Sequence, residues 1–148
     1  MPGIIAGVDG SDHSRTALAW AMREAVQHHL PLTIITVLPP PVRPATRIYW
    51  NIPEDLPDHS LDTEPARKAL EQLADEVASG IGGTPPEFTV IVATGDPAEE
   101  LIRQSQDADM LVVGSRGSGG FAKLLMGSVS GKCTHHAACP VVVVPGRR

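Results

Sequence analysis

The sequence predicts an α/β protein built on a parallel sheet with helices packed on both faces. Three observations carry this. Short apolar runs recur at residues 4–8, 32–38, 88–93, 110–113 and 141–144, and helical patterns lie between them. Several of these runs are continuously apolar, as in strands buried on both sides, and strands alternating with helices give a three-layer α/β/α architecture. The 148 residues suit one domain, spanning 1–148, with 42% hydrophobic and 20% charged residues.

Each element follows from its residues. Residues 4–8 end in Asp9-Gly10-Ser11, which reads as a strand and a turn. Ser11 or Asp12 can cap the next helix, where Leu18, Ala21, Met22 and Ala25 recur on one face. Residues 32–38 are rich in Ile, Val and Thr and form the second strand. Residues 39–58 are rich in proline and too long for a routine connector, which predicts a lid, an interface element or partial disorder.

Ala66, Leu70, Leu73 and Val77 stripe the second helix, which Gly80 and Gly82-Gly83 end. Residues 88–93 are the third strand. Asp96-Pro97-Ala98-Glu99 opens a helix with an N-cap, a first-turn proline and an acid three residues after the cap. Leu101 and Ile102 are its inner face. Residues 110–113 are the fourth strand. Ser128 is read as the cap of a helix running through Ala138, which Pro140 stops, and Val141, Val142, Val143 and Val144 make the fifth strand.

The chain has no leader of secretory type, no apolar run near the roughly 20 residues of a membrane span, and two cysteines, all of which predicts a cytoplasmic protein. A net charge of −5 argues against nucleic acid as a partner. The charge is unevenly spread: 7 basic and 17 acidic residues lie at or before Asp109, and 5 basic and no acidic residues beyond it. Cys133, His135, His136 and Cys139 put only two ligands on each helix face, short of a structural zinc site.

The positive part holds Gly114-Ser115-Arg116-Gly117, nine further residues, and Gly127-Ser128, with Gly119 and Gly120 between. Glycines let a backbone approach a ligand closely, and successive free N–H groups with a helix start behind them form an anion site. The natural reading is a phosphate cradle, and the ends of strand one (Asp9) and strand four (Gly114) are the natural candidates for the ligand position in such a sheet. A Walker A loop is excluded, because Gly131-Lys132 is followed by Cys133 and Met126 stands at the first glycine position. A dinucleotide fingerprint on residues 117–122 lacks the acidic residue it needs some 20 positions later.

The gap-free pattern Gly114-x2-Gly117-x9-Gly127-Ser128 resembles the ATP-binding signature of the universal stress protein family. The resemblance extends to Gly7-Val8-Asp9-Gly10-Ser11, Gly95-Asp96-Pro97, Ser128-Val129-Ser130 and Cys139-Pro140 followed by four valines. It implies a five-stranded parallel sheet in the order 3-2-1-4-5, of the adenine nucleotide alpha hydrolase-like type, in a dimer that binds ATP. It implies that Gly114, Ser115, Arg116, Gly117, Ser118, Gly119 and Gly120 wrap the ribose and phosphates, and that Gly127, Ser128 and Val129 serve the phosphates. Asp9 would meet the nucleotide or its Mg²⁺, with the Ser128 and Ser130 hydroxyls as further candidates for the ion. Gly7 would let the ligand approach strand one, and the backbone of Val37 would meet the adenine edge. Asp9 has a second reading, as the residue that orders the Gly10-Ser11 turn. Gly131 departs from the charged residue more usual there.

The expected function is that of a nucleotide-responsive regulator in stress adaptation, whose state a protein partner reads, with little or no hydrolysis. A slow Mg-dependent ATPase and an AMP or cyclic-AMP sensor are the alternatives. An apolar fifth strand at the sheet edge predicts a homodimer through Val141, Val142, Val143 and Val144.

Overall fold

A computed structural model describes residues 3–38, 63–115 and 127–146. The elements run β1 (Ile4–Gly7), α1 (Asp12–His28), β2 (Leu32–Leu38), α2 (Glu64–Gly80), β3 (Phe88–Thr94), α3 (Pro97–Gln104), β4 (Met110–Gly114), α4 (Ser128–His136) and β5 (Val141–Val144). The proline-rich segment 39–58 lies outside the described residues.

All strand pairs are parallel, in the order β3-β2-β1-β4-β5. The resemblance implied this order. Side chains alternate across the sheet, so each face has its own apolar cluster. Ile4, Ala6, Leu32, Ile34, Leu38, Val112 and Val144 pack with Leu18, Met22, Leu70 and Val77 of α1 and α2. Ile35, Leu111 and Val113 pack on the other face with Leu101 of α3 and Cys133 of α4. The core is aliphatic, as the near absence of aromatic residues requires.

The helix starts differ in a way that bears on function. Ser11 caps α1, its side chain accepting from the Ser14 N–H at 3.3 Å, and Asp96 caps α3, accepting from the Glu99 N–H at 3.0 Å. The sequence reading of α4 needs correction. Gly127, not Ser128, is its N-cap, and the helix ends at His136 rather than Ala138. Gly127 takes an extended conformation (φ −77°, ψ 171°), which makes Ser128 the first helical residue, and Ala137 is already extended (φ −67°, ψ 146°). With glycine as its cap, α4 has no side-chain cap on its first N–H groups among the described residues.

Candidate functional site

The central strand is the shortest path to the site. The β1–β2 pairing stops at Gly7↔Ile35, followed by one bond from the Val8 N–H to the Ile35 carbonyl at 2.9 Å. Beyond that point β2 continues for Thr36, Val37 and Leu38, still paired with β3. On the other side the β1–β4 pairing stops at Ala6↔Val112, while Val113 and Gly114 continue in register with β5. The carboxyl end of β1 is therefore a notch between two longer strands. A notch where strand order reverses is the usual ligand position in an open parallel sheet.

The backbone of Val37 is aimed at this notch. Ile35 gives its carbonyl to β1, and Leu38 gives its carbonyl to Gly95 on the β3 side at 3.1 Å. In a parallel sheet N–H and C=O of one residue point the same way, so Val37, like Ile35, faces the β1 side, past the last β1 pairing.

Asp9 stands at the end of β1 as the first link of a capping chain. Its Oδ1 accepts from the Ser11 N–H at 3.0 Å and from the Ser11 hydroxyl at 2.5 Å, and Ser11 in turn caps α1. Its turn-ordering role is therefore present in the fold. Gly7 has a packing reason of its own: a β-carbon there would stand 2.7 Å from Leu101 Cδ1. Nothing in the sequence marked Leu101 as the neighbour that keeps residue 7 small.

On the β4 side, the Ser115 N–H donates to the Val144 carbonyl at 2.9 Å, continuing the sheet one residue past Gly114. The Ser115 carbonyl accepts from the Gly127 N–H at 2.5 Å and from the Ser130 hydroxyl at 3.1 Å. Ser130 also lies 3.1 Å from the Gly127 carbonyl, which accepts the Gly131 N–H at 2.9 Å. The start of α4 is thus fastened to the end of β4, next to the notch. Ser128, Val129 and Ser130 supply its first-turn N–H groups. Ser115 and Ser130 are buried, while Ser128 is exposed. Arg116, Gly117, Ser118, Gly119 and Gly120 lie outside the described residues.

Farther along α4, burial pushes the Cys133 thiol up to about 11, with Cys139 and Asp96 adding to the shift. Among the described residues no group of three His, Cys, Asp or Glu side chains could hold a metal ion. None of the helices among them is long and apolar enough to cross a membrane. A depression of about 490 Å³ lined by Gly3, Ile5, Thr33 and Thr89 lies at the amino ends of the strands, opposite the notch. Position argues against it as the main site, because parallel sheets bind ligands at their carboxyl ends.

The model of the universal stress protein family matches residues 2–145. The chain belongs to the universal stress protein family. A family member from Mycolicibacterium smegmatis is 39% identical over 147 residues, covering 97% of this chain and 48% of the relative. The chain spans about half the length of the curated relatives it matches. A solved universal stress protein in complex with cAMP has a TM-score of 0.69 at 25% identity, over 97% of this chain and 96% of that one. An Arabidopsis thaliana member with AMP bound has a TM-score of 0.65 at 21% identity, over 99% of this chain and 93% of that one, which shows the shared fold.

Proposed function

We propose that the chain binds an adenine nucleotide, ATP with Mg²⁺, across the notch at the end of β1, and that it acts as a nucleotide-responsive regulator with little or no hydrolysis. The observation that carries this reading is the start of α4. Its cap is a glycine, no side chain among the described residues takes its first N–H groups, and the Ser115 carbonyl holds it beside the notch. Uncapped N–H groups and the positive end of the helix dipole suit phosphate oxygens.

The same residues fit the rest of the nucleotide. Val37 offers a backbone edge on the β2 side for the base, and Asp9 lies between base and phosphates. Magnesium would be held chiefly by phosphate oxygens with Asp9. The Ser130 hydroxyl is given to carbonyls of the protein, so it is the weaker candidate for that ion. The cation supplies charge neutralisation of the phosphates, and the helix start and the glycine backbone position them.

The solved relatives carrying cAMP and AMP support adenine recognition and favour, as a second reading, a sensor of the mononucleotide. Calorimetry with ATP, ADP, AMP and cyclic AMP, each with Mg²⁺, separates the two. Tightest binding of ATP supports the first reading, and equal or tighter binding of AMP or cyclic AMP the second. Binding of none of the four, with no nucleotide released from the purified protein by mass spectrometry, defeats both.

A homodimer through β5 belongs to the same proposal. Among the described residues β5 pairs on one side only, with β4. The opposite edge is less open, because Arg67 Nη1 of α2 donates to the outward Val90 carbonyl of β3 at 3.4 Å. A capped edge on β3 favours β5 as the pairing edge. A strict monomer in sedimentation at micromolar concentration would sink the dimer.

A further inference from the structure

We propose that the Ser130 side chain has a positioning role in nucleotide binding, a clasp that fastens the start of α4 to the end of β4, its hydroxyl not being a ligand of phosphate or metal. The inference rests on the nucleotide reading above for its effect on affinity, and on the hydrogen bonds around Ser115 for the clasp itself.

The geometry is specific. Ser130 is 2% exposed, and its hydroxyl stands 3.1 Å from both the Ser115 and the Gly127 carbonyls. One hydroxyl carries one proton, so the two contacts share it as a three-centre bond. The two carbonyls belong to residues twelve positions apart in sequence that flank residues 116–126. The second tie between those flanks is the Gly127 N–H on the same Ser115 carbonyl. Ser130 therefore fixes where the first turn of α4 sits relative to the end of β4, whatever the conformation between.

Both carbonyls keep another donor when the hydroxyl is removed. Ser115 retains the Gly127 N–H and Gly127 retains the Gly131 N–H. Removing the clasp thus leaves no carbonyl unsatisfied, and the fold should survive Ser130→Ala with little loss. What changes is the precision with which the N–H groups of Ser128 and Val129 are held. Donors that must be reordered on binding give weaker complexes than donors already in place.

The test compares wild type, Ser130→Ala and Ser130→Thr, each checked by thermal melting. Without nucleotide, NMR hydrogen exchange of the Gly127 amide should quicken about tenfold in Ser130→Ala and return towards wild type in Ser130→Thr. Affinity for ATP with Mg²⁺ should fall about fivefold in the alanine variant and recover in the threonine variant, which restores the hydroxyl. Unchanged Gly127 exchange in Ser130→Ala overturns the clasp, and with weakened ATP binding it points to direct contact instead. Quickened exchange with unchanged ATP affinity overturns the positioning role. A wild-type protein that binds no adenine nucleotide ends both the nucleotide reading and the positioning role, and the Gly127 exchange, measured without ligand, still decides the clasp.

Discussion

Gly7 and Leu101 lie so close that a β-carbon on residue 7 would stand 2.7 Å from Leu101 Cδ1 and 3.1 Å from Cδ2. Leu101 is buried between α3 and the sheet, and Ile35, Leu111 and Val113 share its cluster, so its side chain has little room to retreat. Gly7→Ala should destabilise the protein by about 1–3 kcal/mol, the usual cost of overpacking. The effect should shrink in a Leu101→Ala background by about 1 kcal/mol or more, because the two sites are in contact. Urea unfolding of the four proteins in that cycle decides it; strictly additive losses would show that residue 7 is small for another reason.

Gly131 presents the opposite case. It lies inside α4, and a β-carbon there would meet nothing within 4 Å among the described residues. Glycine in a helix interior is less stable than alanine by about 0.5–1 kcal/mol, through the entropy its backbone loses. Gly131→Ala should therefore stabilise the protein by about that amount in denaturant unfolding. A loss of stability would mean that position 131 is more crowded than its open surroundings indicate.

Cys133 links stability to alkaline pH. Its thiol is pushed up to about 11 from its ordinary value of 9.0, chiefly by burial. The folded protein then keeps a proton that the unfolded chain gives up above pH 9, so this contribution is intact below pH 9 and lost as pH rises through 11. Between pH 8 and pH 10.5 the wild type should lose stability relative to Cys133→Ala, on the order of 2 kcal/mol. Denaturant unfolding of both proteins at the two pH values measures it, and parallel pH dependence would refute the assignment.

The sheet was legible in the sequence because its physics is local. Five apolar runs of strand length, separated by helical stripes, leave few alternatives, and Asp96-Pro97 and Ser11 mark two helix starts through their own side chains. The start of α4 lies one residue before the position its sequence suggests, because its cause is not local. Ser128 has the side chain of a cap, but the Gly127 N–H is bound by the Ser115 carbonyl, and Gly127 is extended as the cap. The sequence makes the Ser130 hydroxyl a candidate for the ion; that this hydroxyl reaches back to Ser115 depends on α4 docking at the end of β4. The smallness of Gly7 could be seen, but not that Leu101 explains it, since that contact requires the placement of α3.

The position of the phosphates can be tested with a single backbone atom. Ser128 is the first residue of α4, and the helix makes no use of its N–H. Proline is well tolerated at that position and lacks the N–H. It also requires an extended residue before it, which Gly127 already is, at φ −77° and ψ 171°. Ser128→Pro should therefore keep the fold, with a melting temperature close to wild type, while deleting one donor and one hydroxyl from the proposed anion site. A hydrogen bond to a charged group contributes about 1.5–3 kcal/mol, so affinity for ATP with Mg²⁺ should fall about ten- to a hundredfold. Adenosine, which has no phosphate, should bind the variant about as well as the wild type. Titration calorimetry with both ligands makes the distinction, and an unchanged ATP affinity in a folded variant would place the phosphates away from the start of α4.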